Sequence, residues 1–306
     1  MAELRKLAQD VYVFLQPPLV WYSSAGVIIG EREVILVDSL TNAAMTERLR
    51  AENSRVTDKP IRYLINTHEH PDHVYTNHLF PQATVIGSQR GRAQTQANQR
   101  VQSEHTALFA KYFPDVDFGG GCYTPQAMSF SGSLCIYQGE REVRVLELGP
   151  GHSESDVVVH LPAEKIVFCG DVFVNGMPPL PGEGRVTQTI ANYRALEALE
   201  ADLYVAGHGE PGTLADVRAQ RIQLEGHVQH ARDCFEQGLS YDEALQAFDD
   251  DPMPVDFRRL IILASYWEFI GQRPATADPA SQNHLTLIQG IANEAKRRRG
   301  SKGAGQ

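Results

Sequence analysis

The chain has 306 residues, 42% hydrophobic and 22% charged, enough to bury a sizeable core unaided and incompatible with a disordered or fibrous chain. Its 38 acidic against 28 basic residues give a formal charge of −10, a field that repels polyanions and argues against nucleic acid as a partner. Cys122, Cys135, Cys169 and Cys234 form no CxxC pair, the N-terminus lacks a signal-peptide core, and no apolar run approaches a membrane span. The expectation is a cytoplasmic protein with no membrane partner.

Short β-rich runs open the chain at residues 11–15, 26–30 and 33–38, the last two joined as a hairpin by the turn at 30–32. A helix is predicted over 44–52, strands over 61–65 and 83–87, and a helical stretch over 89–113 that ends at Pro114. Further strands over 132–137, 142–148, 156–160 and 165–169 lead to a helix over 188–200, marked by Ile190, Tyr193, Leu196 and Leu199, and to a last strand at 203–206. Beyond 215 the pattern is helical. Val217, Leu224, Val228, Ala231 and Phe235 mark one helix, residues 260–270 a second, and 285–295 a third.

Strands interleaved with helices in two comparable halves predict a helix-covered, two-sheet α/β sandwich over residues 1–215. A helical extension over 216–295 and a flexible tail over 296–306 complete the expected organisation. Leu260, Leu263, Trp267 and Ile270 recur at intervals of three and four. Such a stripe must pack on the core, where it could close a cleft, or on a second copy in a homodimer.

Directly after the strand ending at Ile65 comes Thr67-His68-Glu69-His70-Pro71-Asp72-His73. In a chain with 11 histidines, chance gives H-x-H-x-D-H on the order of once in a thousand. A loop at a strand end can turn alternate side chains toward neighbouring ions. Imidazoles with a carboxylate suit zinc, iron or manganese, and the lack of thiolates argues against a closed structural zinc site. Three further pieces place a ligand-type residue beside glycine at a predicted strand end: Gly149-Pro150-Gly151-His152, Cys169-Gly170-Asp171 and Ala206-Gly207-His208-Gly209.

This combination resembles the metallo-β-lactamase superfamily of hydrolases over about residues 10 to 215. Residues 57–68 and 156–162 look most like the hydrolases related to SoxH, and glyoxalase II thioesterases and lactonases share the metal signature. The resemblance implies a four-layer αββα sandwich and two divalent metal ions, zinc first, with iron or manganese as alternatives. It puts His68, His70 and His152 on one ion, Asp72, His73 and His208 on the other, and Asp171 between them. Two such ions share a hydroxide able to attack the carbonyl of a small ester, thioester or lactone. Asp72 would orient that attack and relay a proton to the leaving group, and Asp38 would hold a ligand histidine from behind.

Trp21, Tyr22, Met177 and Leu180, on loops flanking the motifs, are the candidate apolar wall of the substrate pocket. Glu69 and Glu154 sit inside ligand motifs at non-ligand positions and read as loop-stabilising or solvent-facing. His227 and His230 stand three apart on a helix without carboxylate company, a weak chelate. β-Lactam hydrolysis uses the same attack but fits less well without a secretion signal. A non-catalytic sensor on the same fold would tolerate a degenerate ligand set, whereas all seven positions are filled here.

Overall fold

The computed structural model describes residues 2–17, 21–181, 185–248 and 251–271. The first half builds β1 (Glu3–Ala8), β2 (Val11–Leu15), β3 (Ala25–Ile29), β4 (Val34–Val37), α1 (Ala43–Val56), β5 (Ile61–Ile65), the short α2 (Pro71–Val74), β6 (Thr84–Ser88), α3 (Gln89–Arg100), α4 (Gln102–Tyr112) and β7 (Met128–Phe130). These seven strands form one sheet in chain order, antiparallel from β1 to β4 and parallel from β4 to β7. The second half adds β8 (Ser133–Gln138), β9 (Arg141–Gly149), β10 (Asp156–Leu161), β11 (Ile166–Phe168), α5 (Val186–Glu197) and β12 (Leu203–Val205). Its sheet runs β12-β11-β10-β9-β8. The chain continues into α6 (Leu214–Glu236), α7 (Tyr241–Gln246) and α8 (Val255–Phe269).

The two sheets pack face to face, and strand alternation decides what lies between them. On β4, Ile35 and Val37 point into the inter-sheet core, while Val34 and Leu36 face a second core closed by Met45 and Leu49 of α1. On β10, Val157, Val159 and Leu161 face inward, while Val158 turns outward toward α5, α6 and α8. Strands covered on both faces read as continuous apolar runs rather than alternating ones. The result is the expected αββα sandwich with a helical C-terminal part. Among the described residues no helix is long and apolar enough to cross a membrane, and all four cysteines are free.

The C-terminal helices share the outer core of the second sheet. Val217, Leu224 and Val228 of α6 and Phe257 and Ile261 of α8 pack with Val158, Val167, Tyr193 and Leu196. A capping box at Thr213 and Asp216 starts α6. The buried face of α8 overlaps the stripe read in the sequence only in part: Leu260 is buried together with Phe257, Ile261, Ile262 and Tyr266, Leu263 and Trp267 are half-buried, and Ile270 is 51% exposed. Leu260, Ile261, Ile262 and Leu263 set apolar side chains at four successive positions around the helix, so its neighbours, not its periodicity, choose the buried side. The helix read over 285–295 and the tail over 296–306 lie outside the described residues.

Candidate metal centre

Each chemistry-bearing segment leaves the same end of the sandwich. Asp38 follows β4, residues 66–70 follow β5, and α2 then presents Asp72 and His73. His152 lies on the β9–β10 connection, Asp171 on a single 3-10 turn after β11, and His208 after β12. Two glycines make the approach possible. Gly170 has φ +51° and its missing Cβ would lie 2.7 Å from Thr67, and a Cβ on Gly207 would collide with the Asp171 carboxylate.

Two groups of side chains converge there. His70 Nδ1 lies 3.0 Å from both His68 Nε2 and His152 Nε2. In the second group, Asp72 Oδ2 lies 3.0 Å from His208 Nε2 and 3.5 Å from His73 Nε2. Asp171 stands between them. Its Oδ2 is 3.5 Å from His152 and 3.4 Å from His208, and its Oδ1 is 3.3 Å from His73. The seven residues singled out in the sequence therefore meet in one buried cluster, with the ligand-type atoms of each group of three within 4.8 Å of one another.

The hydrogen bonds around the cluster fix which nitrogens face inward. Leu180 O accepts from His152 Nδ1 at 3.0 Å, and Asp38 Oδ2 accepts from His73 Nδ1 at 2.8 Å. The Thr67 hydroxyl donates to Asp38 Oδ2, so its oxygen accepts from His68 Nδ1 at 3.0 Å. In all three rings Nε2 is left with a lone pair aimed into the cluster. One proton on His70 Nδ1 cannot serve two such lone pairs at once, whereas a cation can. His73 Nε2 and Asp171 Oδ1 are buried without a hydrogen bond. These features fit divalent metal ions held by imidazole and carboxylate.

Electrostatics agree with that fit. Burial alone would lower the His73 imidazole, but Asp72, Asp171 and Asp38 carry it well above its ordinary range. Burial likewise opposes protonation of His208, yet Asp171 and Asp72 push it up to about 10. Asp171 is held well below the usual carboxylate range: His208 and His73 outweigh its desolvation. His68 falls well below its ordinary value through burial and the neighbouring charges of His73 and His70. The carboxylate side of the cluster thus demands positive charge, and the His68 side resists protonation.

The loop carrying His152 is held from within by Asp156, whose carboxylate accepts from the main-chain N–H groups of Gly151, His152 and Ser153 and from Asn192 Nδ2 of α5. Neither Asp156 nor Asn192 stood out in the sequence; the first lies at the edge of a motif, and the second gives no local signal. Of the four apolar candidates, Trp21 packs against Phe109, Phe113 and Phe118 at 4.8, 5.3 and 5.6 Å between ring centroids. Tyr22 joins the outer core of the first sheet. The Leu180 side chain packs beside the outer core of the second sheet and reaches the cluster through its carbonyl. Met177 O accepts from Gln220 Nε2 of α6 at 3.0 Å. The side chains of Trp21, Tyr22 and Leu180 are spread over three separate packing groups.

Comparison with known proteins places this geometry in a family. Residues 19–208 match the metallo-beta-lactamase superfamily. The chain is 28% identical to the 2,4-dinitroanisole O-demethylase subunit alpha of Nocardioides sp. (strain JS1661), over 62% of this chain and 55% of that protein. It is 23% identical to a linear primary-alkylsulfatase of Pseudomonas sp. (strain ATCC 19151), over 58% of this chain and 40% of the other. In structure it resembles a stereoselective inverting sec-alkylsulfatase from Pseudomonas sp., with TM-score 0.73 and 16% identity over 92% of this chain and 52% of that one. A metallo-beta-lactamase family protein from Thermus thermophilus gives TM-score 0.63 and 20% identity, over 87% and 95% of the two chains. The chain spans about half the length of the curated relatives it matches. The chain belongs to the metallo-beta-lactamase superfamily.

Proposed function

We propose that the protein is a metal-dependent hydrolase of a small ester-type substrate, with two divalent ions, zinc first, at the cluster. The observation that carries this reading is the position of Asp171, whose two carboxylate oxygens face His152, His208 and His73 from both groups at 3.3–3.5 Å. His68, His70 and His152 would hold one ion, Asp72, His73 and His208 the other, and Asp171 would serve both. Bound there, such ions would supply Lewis acidity and lower the pKa of water.

The protein's own residues would do the rest. Asp72 is kept ionised because His73 and His208 outweigh its desolvation, so its carboxylate can accept a proton from an attacking water and return it to the leaving group. Asp38 and Thr67 hold His73 and His68 in the tautomers that aim Nε2 inward. The Leu180 carbonyl does the same for His152. Burial of the cluster residues other than the half-buried His70 keeps these contacts in a low-dielectric setting where they act strongly.

The leading substrate class is an uncharged or modestly polar acyl compound: an ester, thioester or lactone. A second reading, an alkyl sulfate or another alkyl–oxygen linkage, is favoured by the names of the matched relatives, an alkylsulfatase and an O-demethylase subunit. Metal-loaded protein assayed against thioesters, lactones, β-lactams and alkyl sulfates separates them. Turnover of the acyl group supports the first, turnover of the sulfates the second, and no turnover of any class in protein carrying two ions contradicts a hydrolytic role.

A further inference from the structure

Glu69 stands between His68 and His70 in sequence, yet its carboxylate leaves the cluster and is fully buried. It spans two ligand-bearing loops. Oε1 accepts from the main-chain N–H of Glu154 at 3.2 Å, and Oε2 accepts from the Ser155 hydroxyl. Glu154 and Ser155 lie just beyond His152 on the other loop, and the contacts continue back to that histidine. Ser155 N donates to Ser153 Oγ at 3.1 Å, Ser153 Oγ donates to Asp156 Oδ1 at 2.7 Å, and Asp156 Oδ2 accepts from His152 N at 2.7 Å. The space around Ser155 is closed by α3, because a Cβ on Gly91 would lie 2.7 Å from Ser155 Oγ.

We infer that Glu69 is a positioning residue for the three-histidine group: its carboxylate fixes the loop of residues 149–156, and so His152, in register with His68 and His70. His152 is the one member of that group supplied by a second segment, so a small shift of its loop opens the group while leaving His68 and His70 in place. The other main-chain tie between the segments, Val157 N to Thr67 O at 2.8 Å, lies beyond the bend and cannot by itself set the position of residue 152. Removing the carboxylate takes an acceptor from the buried Ser155 hydroxyl and from the Glu154 main-chain N–H, a loss that favours a shift of the loop. The second group, Asp72, His73 and His208, is supplied by α2 and the segment after β12, and it meets His152 through Asp171 rather than through the loop of residues 153–156. The inference rests on the metal-centre reading and adds to it a residue that touches neither metal nor substrate.

Cobalt(II) titration of metal-free wild type, Glu69→Ala, Glu69→Gln and Ser155→Ala tests it, with the visible absorption of bound cobalt and calorimetric stoichiometry as readouts. Wild type is expected to take up two ions. Glu69→Ala should weaken one of them by about 10- to 100-fold and change its absorption, leaving the other as in wild type. Glu69→Gln, which keeps one acceptor oxygen, should recover part of the loss, and Ser155→Ala should fall between. The latter two variants carry the test if Glu69→Ala does not fold. Titration curves and spectra matching wild type in all variants would overturn the inference, as would equal weakening of both ions. Absence of cobalt uptake by wild type would instead defeat the metal-centre reading itself, so the two failures are distinguishable.

Discussion

Asp38 Oδ2 accepts from His73 Nδ1 at 2.8 Å, and the same carboxylate binds the main-chain N–H and the hydroxyl of Thr67. Asp38 is held in the left-handed region at φ 65°, a conformation that a non-glycine residue keeps only where its surroundings enforce it. One buried carboxylate thereby orients ligand-type residues on both sides of the cluster, His73 directly and His68 through Thr67. Replacing Asp38 with Asn should weaken metal binding by about 10- to 100-fold, read by competition with a chromophoric chelator. Wild-type affinity in that variant would show that His73 is oriented by other means.

Asp72 is assigned the proton transfer. Asp72→Asn keeps the size of the side chain and removes its capacity to accept a proton, so turnover should fall by about 10²–10⁴. The ion at His68, His70 and His152 should stay bound, measured as metal content beside kcat. Turnover equal to wild type would remove Asp72 from the reaction.

Much of this centre was legible in the sequence because four of its seven residues crowd behind one strand, and the other three sit beside glycine at strand ends. The contacts that orient them were less visible. Leu180 acts through a carbonyl, which carries no side-chain signal, and Asp156 meets Asn192 across 36 residues of chain. β1 was missed because Glu3, Arg5 and Lys6 mark it as polar; it is an edge strand ordered by pairing with β2. The helical stretch over 89–113 is broken at Val101, at φ −115° and ψ 25°, with no proline or glycine to announce it.

The C-terminal helices bear on the core and on the loop after Asp171 in different ways. Ile261 is fully buried against the second sheet's outer layer, so Ile261→Ala should cost about 2–5 kcal/mol of stability with metal content unchanged. Gln220 of α6 donates to the carbonyls of Val174 and Met177. Gln220→Ala should therefore change KM more than metal content. Kinetics with the identified substrate check the second effect and denaturant unfolding the first.

His160 gives a pH dependence of known sign. Burial, with help from Arg144, lowers its imidazole below the ordinary value of 6.5, so the unfolded chain binds the proton more readily than the folded one. Its contribution to stability is present above about pH 6.5 and is lost as pH falls through the folded value. His160→Gln should lose less stability than wild type between pH 7 and pH 5, measured by urea unfolding. Parallel curves would contradict the assignment.

One carboxylate, Asp171, is proposed to join two metal sites. Metal analysis of gently purified wild type and Asp171→Ala, with the unfolding temperature of each before and after chelation, tests it most directly. Wild type should hold close to two ions per chain, Asp171→Ala far fewer, and removal of the ions should lower the unfolding temperature. Wild-type protein that holds no metal and takes none up, or an Asp171→Ala variant that keeps both ions, would contradict it.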